Sequence, residues 1–132
     1  MSGNSVISDT NTLIYLLDDT QTYSTSAEKK LDGKQVWISV ITELELFGKK
    51  GLRQNELKAI EKLVNSCFVV DLNTNIKNIT KQLMQSVKIK LPDAIIASTS
   101  LYLNFPLVTA DTGFQNIPQL DLLFLEENDS SK

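Results

Sequence analysis

The chain contains no histidine. Imidazole is therefore unavailable as metal ligand, general base or triad member, and any metal site must be built mainly from oxygen, which favours a hard cation. Cysteine is nearly as scarce. Cys67 is the only one, so no intrachain disulfide can form, and its apolar neighbours Phe68-Val69-Val70 mark a buried strand thiol rather than a catalytic one. Nowhere do about 18 apolar residues occur together, and Met1-Ser2-Gly3-Asn4-Ser5 lacks the basic flank and apolar run of a targeting segment. The expectation is a cytoplasmic protein with no membrane partner. An excess of basic charge is also missing: 13 Lys and Arg stand against 16 Asp and Glu, a net −3. That argues against coating nucleic acid by bulk electrostatics, while leaving room for a local basic rim.

What is present is an ordinary globular composition, 42% apolar and 22% charged over 132 residues, enough for one substantial core and too little for a second. We expect one domain over residues 1–126, followed by a polar, frayed tail over 127–132. Apolar runs at Val6–Ser8, Val36–Ser39, Phe68–Val70, Leu107–Thr109 and Leu122–Leu125 read as five strands. Between them lie helical patterns. Thr12–Leu17 is too apolar for a surface helix, Ser24 is placed to cap a short helix over Thr25–Leu31, and Ile41–Phe47 ends at Gly48. Helices over Asn55–Asn65 and Ile76–Val87 carry apolar residues at helical spacing, and Pro92 fits the first turn of another running toward Leu103. Strands alternating with helices predict an α/β domain, a parallel sheet between helical layers.

Four acids stand where an apolar segment meets a helix start, a short helix or a turn: Asp9, Glu45, Asp93 and Asp111. Each has a structural reading as well. Asp9 is a good helix N-cap, Glu45 lies at capping-box spacing from Thr42, Asp93 suits the dipole of a first helical turn, and Asp111 suits a turn. Yet a carboxylate directly after a buried strand needs a cation or several donors to stay ionised, and in an α/β sheet Asp9 and Asp111 share the edge where ligands bind. Glu43 competes with Glu45; the two diverge by about 200° on a helix, so only one faces a common site. We take Glu45 and place Glu43 on the solvent side. Carboxylates and water suffice to hold magnesium or manganese, and two such ions could activate water and stabilise the leaving oxygen in phosphodiester hydrolysis.

These segments resemble the PIN-domain ribonucleases, and most of all the VapC-like toxins of bacterial toxin–antitoxin pairs. The resemblance rests on Val6-Ile7-Ser8-Asp9-Thr10-Asn11, on Ile38 to Gly48, on Lys90-Leu91-Pro92-Asp93-Ala94-Ile95-Ile96-Ala97, and on Leu107-Val108-Thr109-Ala110-Asp111-Thr112-Gly113-Phe114. It implies a three-layer α/β/α domain with about five parallel strands ordered 3-2-1-4-5. It also implies metal-ligating, catalytic roles for Asp9, Glu45, Asp93 and Asp111, with Thr109 a supporting hydroxyl. Cleavage of single-stranded RNA with Mg2+ or Mn2+, a homodimer, and an antitoxin bound beside the cleft complete what the family implies.

Two other functions remain open at this stage. A magnesium phosphatase with Asp9 as nucleophile commonly wants a second acid two residues on, where this chain has Asn11. A non-catalytic RNA-binding or interaction module would bind without turnover. Lys49-Lys50-Gly51-Leu52-Arg53, Lys88 and Lys90 are candidate phosphate contacts, although such charges often only solvate a surface. Trp37 and Tyr102 read as core packing, and Phe114 as cover for the core.

Overall fold

Short runs of apolar residues pair side by side in this molecule, and the helices between them return the chain to the same end of the sheet each time. The computed structural model describes residues 2–129. Its strands are β1 (Ser5–Ser8), β2 (Gln35–Ser39), β3 (Phe68–Val70), β4 (Leu107–Thr109) and β5 (Leu122–Phe124). All neighbours are parallel and the order is β3-β2-β1-β4-β5, the order the resemblance implied. The helices are α1 (Thr10–Leu17), α2 (Ser24–Leu31), α3 (Val40–Phe47), α4 (Gln54–Asn65), α5 (Thr74–Ser86) and α6 (Leu91–Leu103).

β1 is the centre, and every one of its residues is buried. Its alternation feeds both layers: Val6 joins a core with Leu13, Ala27, Leu31, Ile60 and Val64 of α1, α2 and α4, while Ile7 joins one with Leu83, Ile96 and Ala97 of α5 and α6. Phe114 closes the second core, as the sequence suggested. α3 crosses the sheet's end and touches α1, α4 and α6. Because β1 and β4 are adjacent, Ile7 pairs with Leu107 and Ser8 with Val108, so the next residues along, Asp9 and Thr109, emerge together.

Several local readings are corrected. Ser39, not Thr42, caps α3, its hydroxyl accepting from the Ile41 N–H at 3.1 Å, so Thr42 lies inside the helix and the capping box with Glu45 does not form. Cys67 lies in the turn between α4 and β3; it is half-buried and its thiol donates to the Leu63 carbonyl at 3.4 Å. Tyr102 is 42% exposed on α6 rather than packed inside. Trp37 does pack, its ring stacked on Phe68 at 4.6 Å and tilted against Phe105 at 5.5 Å. α1 is not enclosed: Ile14 and Leu17 line an open groove with Leu46, Leu52 and Ile60, which is why that helix is so apolar without being central.

The expected fraying of the tail is overturned through Asn128. Ser24 makes no side-chain cap for α2; instead the Asn128 side-chain carbonyl accepts from the Thr25 N–H at 3.1 Å. The Asn128 amide also donates to the Gln21 carbonyl at 3.0 Å, and its backbone N–H donates to Thr22 at 2.7 Å. The cap comes from a residue 103 positions away, a distance at which no sequence pattern can announce it. The rest of the tail, residues 130–132, lies outside the described residues.

Candidate metal centre

The chain leaves β1 into α1 on one side of the sheet and later inserts β4 on the other side of β1. Ligand crevices form at such switch points, beyond the strands' carboxyl ends. Asp9 sits there as the N-cap of α1, buried to 5% exposure. One oxygen, Oδ1, accepts from the Thr12 N–H at 2.9 Å and the Thr12 hydroxyl at 2.5 Å; the other, Oδ2, accepts from the Thr109 hydroxyl at 2.5 Å. Thr109 in turn accepts from the Asp111 N–H at 3.0 Å. The cap reading and the site reading of Asp9 are therefore compatible, because a carboxylate has about four acceptor positions and three are used here.

Burial raises the proton affinity of Asp9, the Thr109 and Thr12 hydrogen bonds oppose that rise, and Asp111 adds to it. Asp93, in the first turn of α6, is also pushed up: burial is the main cause, followed by the charges of Asp111, Asp9 and Glu45, with Lys90 opposing. Asp111, Asp9 and Glu45 thus all act on Asp93, and Asp111 acts on Asp9 as well. Asp111 heads a tight 3-10 turn, Thr112–Asn116, its Oδ1 accepting from the Gly113 N–H at 2.8 Å. A methyl group on Gly113 would stand only 3.0 Å from that same oxygen, so glycine leaves the carboxylate its place.

Glu45 reaches the cluster from α3. Its Oε1 accepts from the Thr10 hydroxyl at 2.6 Å, and the Thr10 and buried Thr42 hydroxyl oxygens are 3.1 Å apart. The charges named above as acting on Asp93 include that of Glu45 and not that of Glu43. Glu43 is, however, less exposed than Glu45, contrary to its expected place on the solvent side, because a cleft open to substrate is itself solvent-facing. Thr10, Thr12 and Thr42 were not selected from the sequence. The one available signal was their spacing from the acids: Thr10 and Thr12 follow the Asp9 cap by one and three residues, and Thr42 precedes Glu45 by almost one helical turn.

The donor set suits a hard divalent ion: carboxylate oxygens only, charged alike and crowded. Among the described residues no three carboxylates converge on one point as the side chains lie. That agrees with the habit of magnesium, which is commonly held by one or two carboxylates and keeps several waters for substrate oxygens to replace. Oδ2 of Asp9 retains the free acceptor position for such a role.

A family model described as PIN domain matches residues 6–120. The chain belongs to the PIN domain family. Among solved structures, it is similar to a protein in a toxin-antitoxin complex from Klebsiella pneumoniae, with 28% identity and a TM-score of 0.74 over 89% of this chain and 95% of the other. It is similar as well to one in VapBC-1 from nontypeable Haemophilus influenzae, with 28% identity and a TM-score of 0.71 over 91% and 97% of the two chains. A chain of DNA-bound VapBC from Salmonella typhimurium shares the fold at 21% identity and a TM-score of 0.75, covering 91% of this PIN domain and 97% of that chain. No curated protein matches at a significant level. Among the described residues, no helix of this PIN domain is long and apolar enough to cross a membrane.

Proposed function

We propose that this PIN domain is a metal-dependent endoribonuclease, hydrolysing RNA phosphodiester bonds at the Asp9, Glu45, Asp93 and Asp111 cluster, and that it is the VapC-like toxin of a toxin–antitoxin pair. One observation carries the reading: Asp9, Glu45 and Asp111, from three separate parts of the chain, all bear on Asp93 at the switch point of the sheet. Mg2+ or Mn2+ bound there supplies a Lewis acid and a water of lowered pKa. The protein's own part is position. Thr12 and Thr109 hold Asp9 in one rotamer, Thr10 holds Glu45, and the Gly113 turn holds Asp111, so little reorganisation is left for the reacting complex.

The antitoxin partner is supported by the toxin-antitoxin complexes among the similar structures. Its seat on this chain is the groove of about 400 Å3 between α1 and α4, whose lining includes the apolar Ile14, Leu17 and Leu52 as well as Glu45. A partner lying there would block the approach to the acids.

The test is cleavage of single-stranded RNA by purified protein in magnesium, manganese or chelator, beside a folded Asp93→Asn variant. Metal-dependent cleavage lost in the variant is the expected result. Equal cleavage by both proteins would point to a contaminant and remove the support for this site. Metal-dependent binding without new RNA termini would favour the non-catalytic module, and release of phosphate from a small monoester the phosphatase.

A further inference from the structure

The acids account for one wall of a cleft whose other wall has no role in the proposed hydrolysis. Lys88, Ile89 and Lys90, the link from α5 to α6, face Asp93, Asp111, Gly113 and Phe114 across a space of about 180 Å3. That is below the roughly 300–1,000 Å3 of pockets that enclose whole small-molecule ligands, and suits a strand laid across an open cleft with only part of a nucleotide inside it. Its walls differ in chemistry. Lys88 and Lys90 are exposed, and among the described residues the one ion pair within 4.0 Å is Arg53–Glu56, so neither lysine is spent on a salt bridge. Ile89 is half-buried, and Gly113 presents bare backbone.

We infer that this cleft holds one nucleotide of the RNA strand next to the scissile phosphate, Lys88 and Lys90 taking its phosphate and Ile89 with the Gly113 backbone bordering its base. The inference rests on the ribonuclease reading and adds to it where the strand runs beside the acids. A protein whose net charge is −3 cannot gather RNA by bulk attraction, so cations placed beside the acids must do it locally. Phe114 cannot serve as a stacking platform, being 2% exposed and part of the core. The base therefore lies against Ile89 and the Gly113 backbone rather than on an aromatic ring.

The experiment measures binding of a short single-stranded RNA in chelator as a function of salt, by fluorescence anisotropy, for wild type, Lys88→Ala/Lys90→Ala and the control Lys58→Ala/Lys62→Ala on α4. Melting temperatures establish that each variant is folded. The expected result is a salt slope reduced by about 1.4 in the first variant, two phosphate contacts on a single strand, and unchanged in the control. In magnesium, an abasic residue walked along the RNA should raise KM at one position beside the cut. Equal salt slopes in wild type and Lys88→Ala/Lys90→Ala, with wild-type cleavage intact, overturn the cleft assignment and leave the nuclease standing. Lysine-dependent binding without cleavage by wild type removes the nuclease and keeps the cleft as an RNA site. Equal binding of an acidic peptide of matched charge, or no RNA binding by wild type, overturns the inference.

Discussion

Replacing Asp93 by asparagine should stabilise the metal-free protein, although it damages the site. Asp93 is opposed by the charges of Asp111, Asp9 and Glu45. Two carboxylates 5 Å apart repel by roughly 3 kcal/mol at an effective dielectric of 20, while a pair 4 Å apart in bulk water costs about 1 kcal/mol. Glu45 and Asp111 are exposed, so relief nearer the lower figure is expected, about 1–2 kcal/mol. Against this, asparagine forfeits the favourable charge in the first turn of α6, about 0.3–1 kcal/mol. At mid-range repulsion wins by about 0.8 kcal/mol, between limits of about 0 and 1.7, or roughly 3 °C in Tm for a domain of this size. Magnesium at ten times its Kd adds about 1.4 kcal/mol to wild type and should add less to the variant, so the gap closes as metal is titrated. Calorimetric melts in chelator and across a magnesium series test this. A variant that melts below wild type in chelator, or gains as much from magnesium as wild type does, would refute the crowding of charge at this site.

The pH dependence carries a defined sign. Asp9 and Asp93 hold their protons to higher pH in the folded chain than in the unfolded one, so their contribution to metal-free stability falls as pH rises from the ordinary carboxylate range through the raised values. The melting temperature of Asp93→Asn minus that of wild type should therefore grow with pH over that window, and a difference that shrinks contradicts the assignment. Thr10→Val removes the hydroxyl donor to Glu45 and should lower RNA cleavage about tenfold to a hundredfold with the fold retained, while Thr10→Ser keeps most activity; equal rates for all three proteins would show that Glu45 needs no such anchor. Asn128→Ala deletes the cap of α2 and should cost about 1–2 kcal/mol in urea unfolding, whereas a change within error would mean the tail is not tied down in solution.

Much of the fold was legible because each strand is a short apolar run bounded by turns or helix starts. Phe68–Val70 and Leu107–Thr109 are strands with the same limits as their apolar runs. Helix starts were less legible. The apolar pattern of α5 begins at Ile76, but Asn73 caps the helix and it starts at Thr74. α2 takes its cap from Asn128, far beyond any local window. At the candidate centre, the acids could be found because a charge beside a buried strand is costly and therefore informative. The threonines could not, because a hydroxyl in a helix carries no such penalty, and the partners of Thr10 and Thr109 are set by tertiary packing. Helical divergence means that only one of Glu43 and Glu45 faces the site; the bond from Thr10 supplies a physical reason why it is Glu45.

The strand order also bears on when the centre comes into being. Asp9 leaves the ribosome well before its partner hydroxyl on Thr109, 100 residues further along, and β4 cannot take its place beside β1 until it too has emerged. β1, β2 and β3 are able to pair before Asp9 and Asp111 can be brought together. Synthesis thus separates folding of part of the sheet from assembly of the acids: a chain that stops short of β4 can pair strands and still lack the centre.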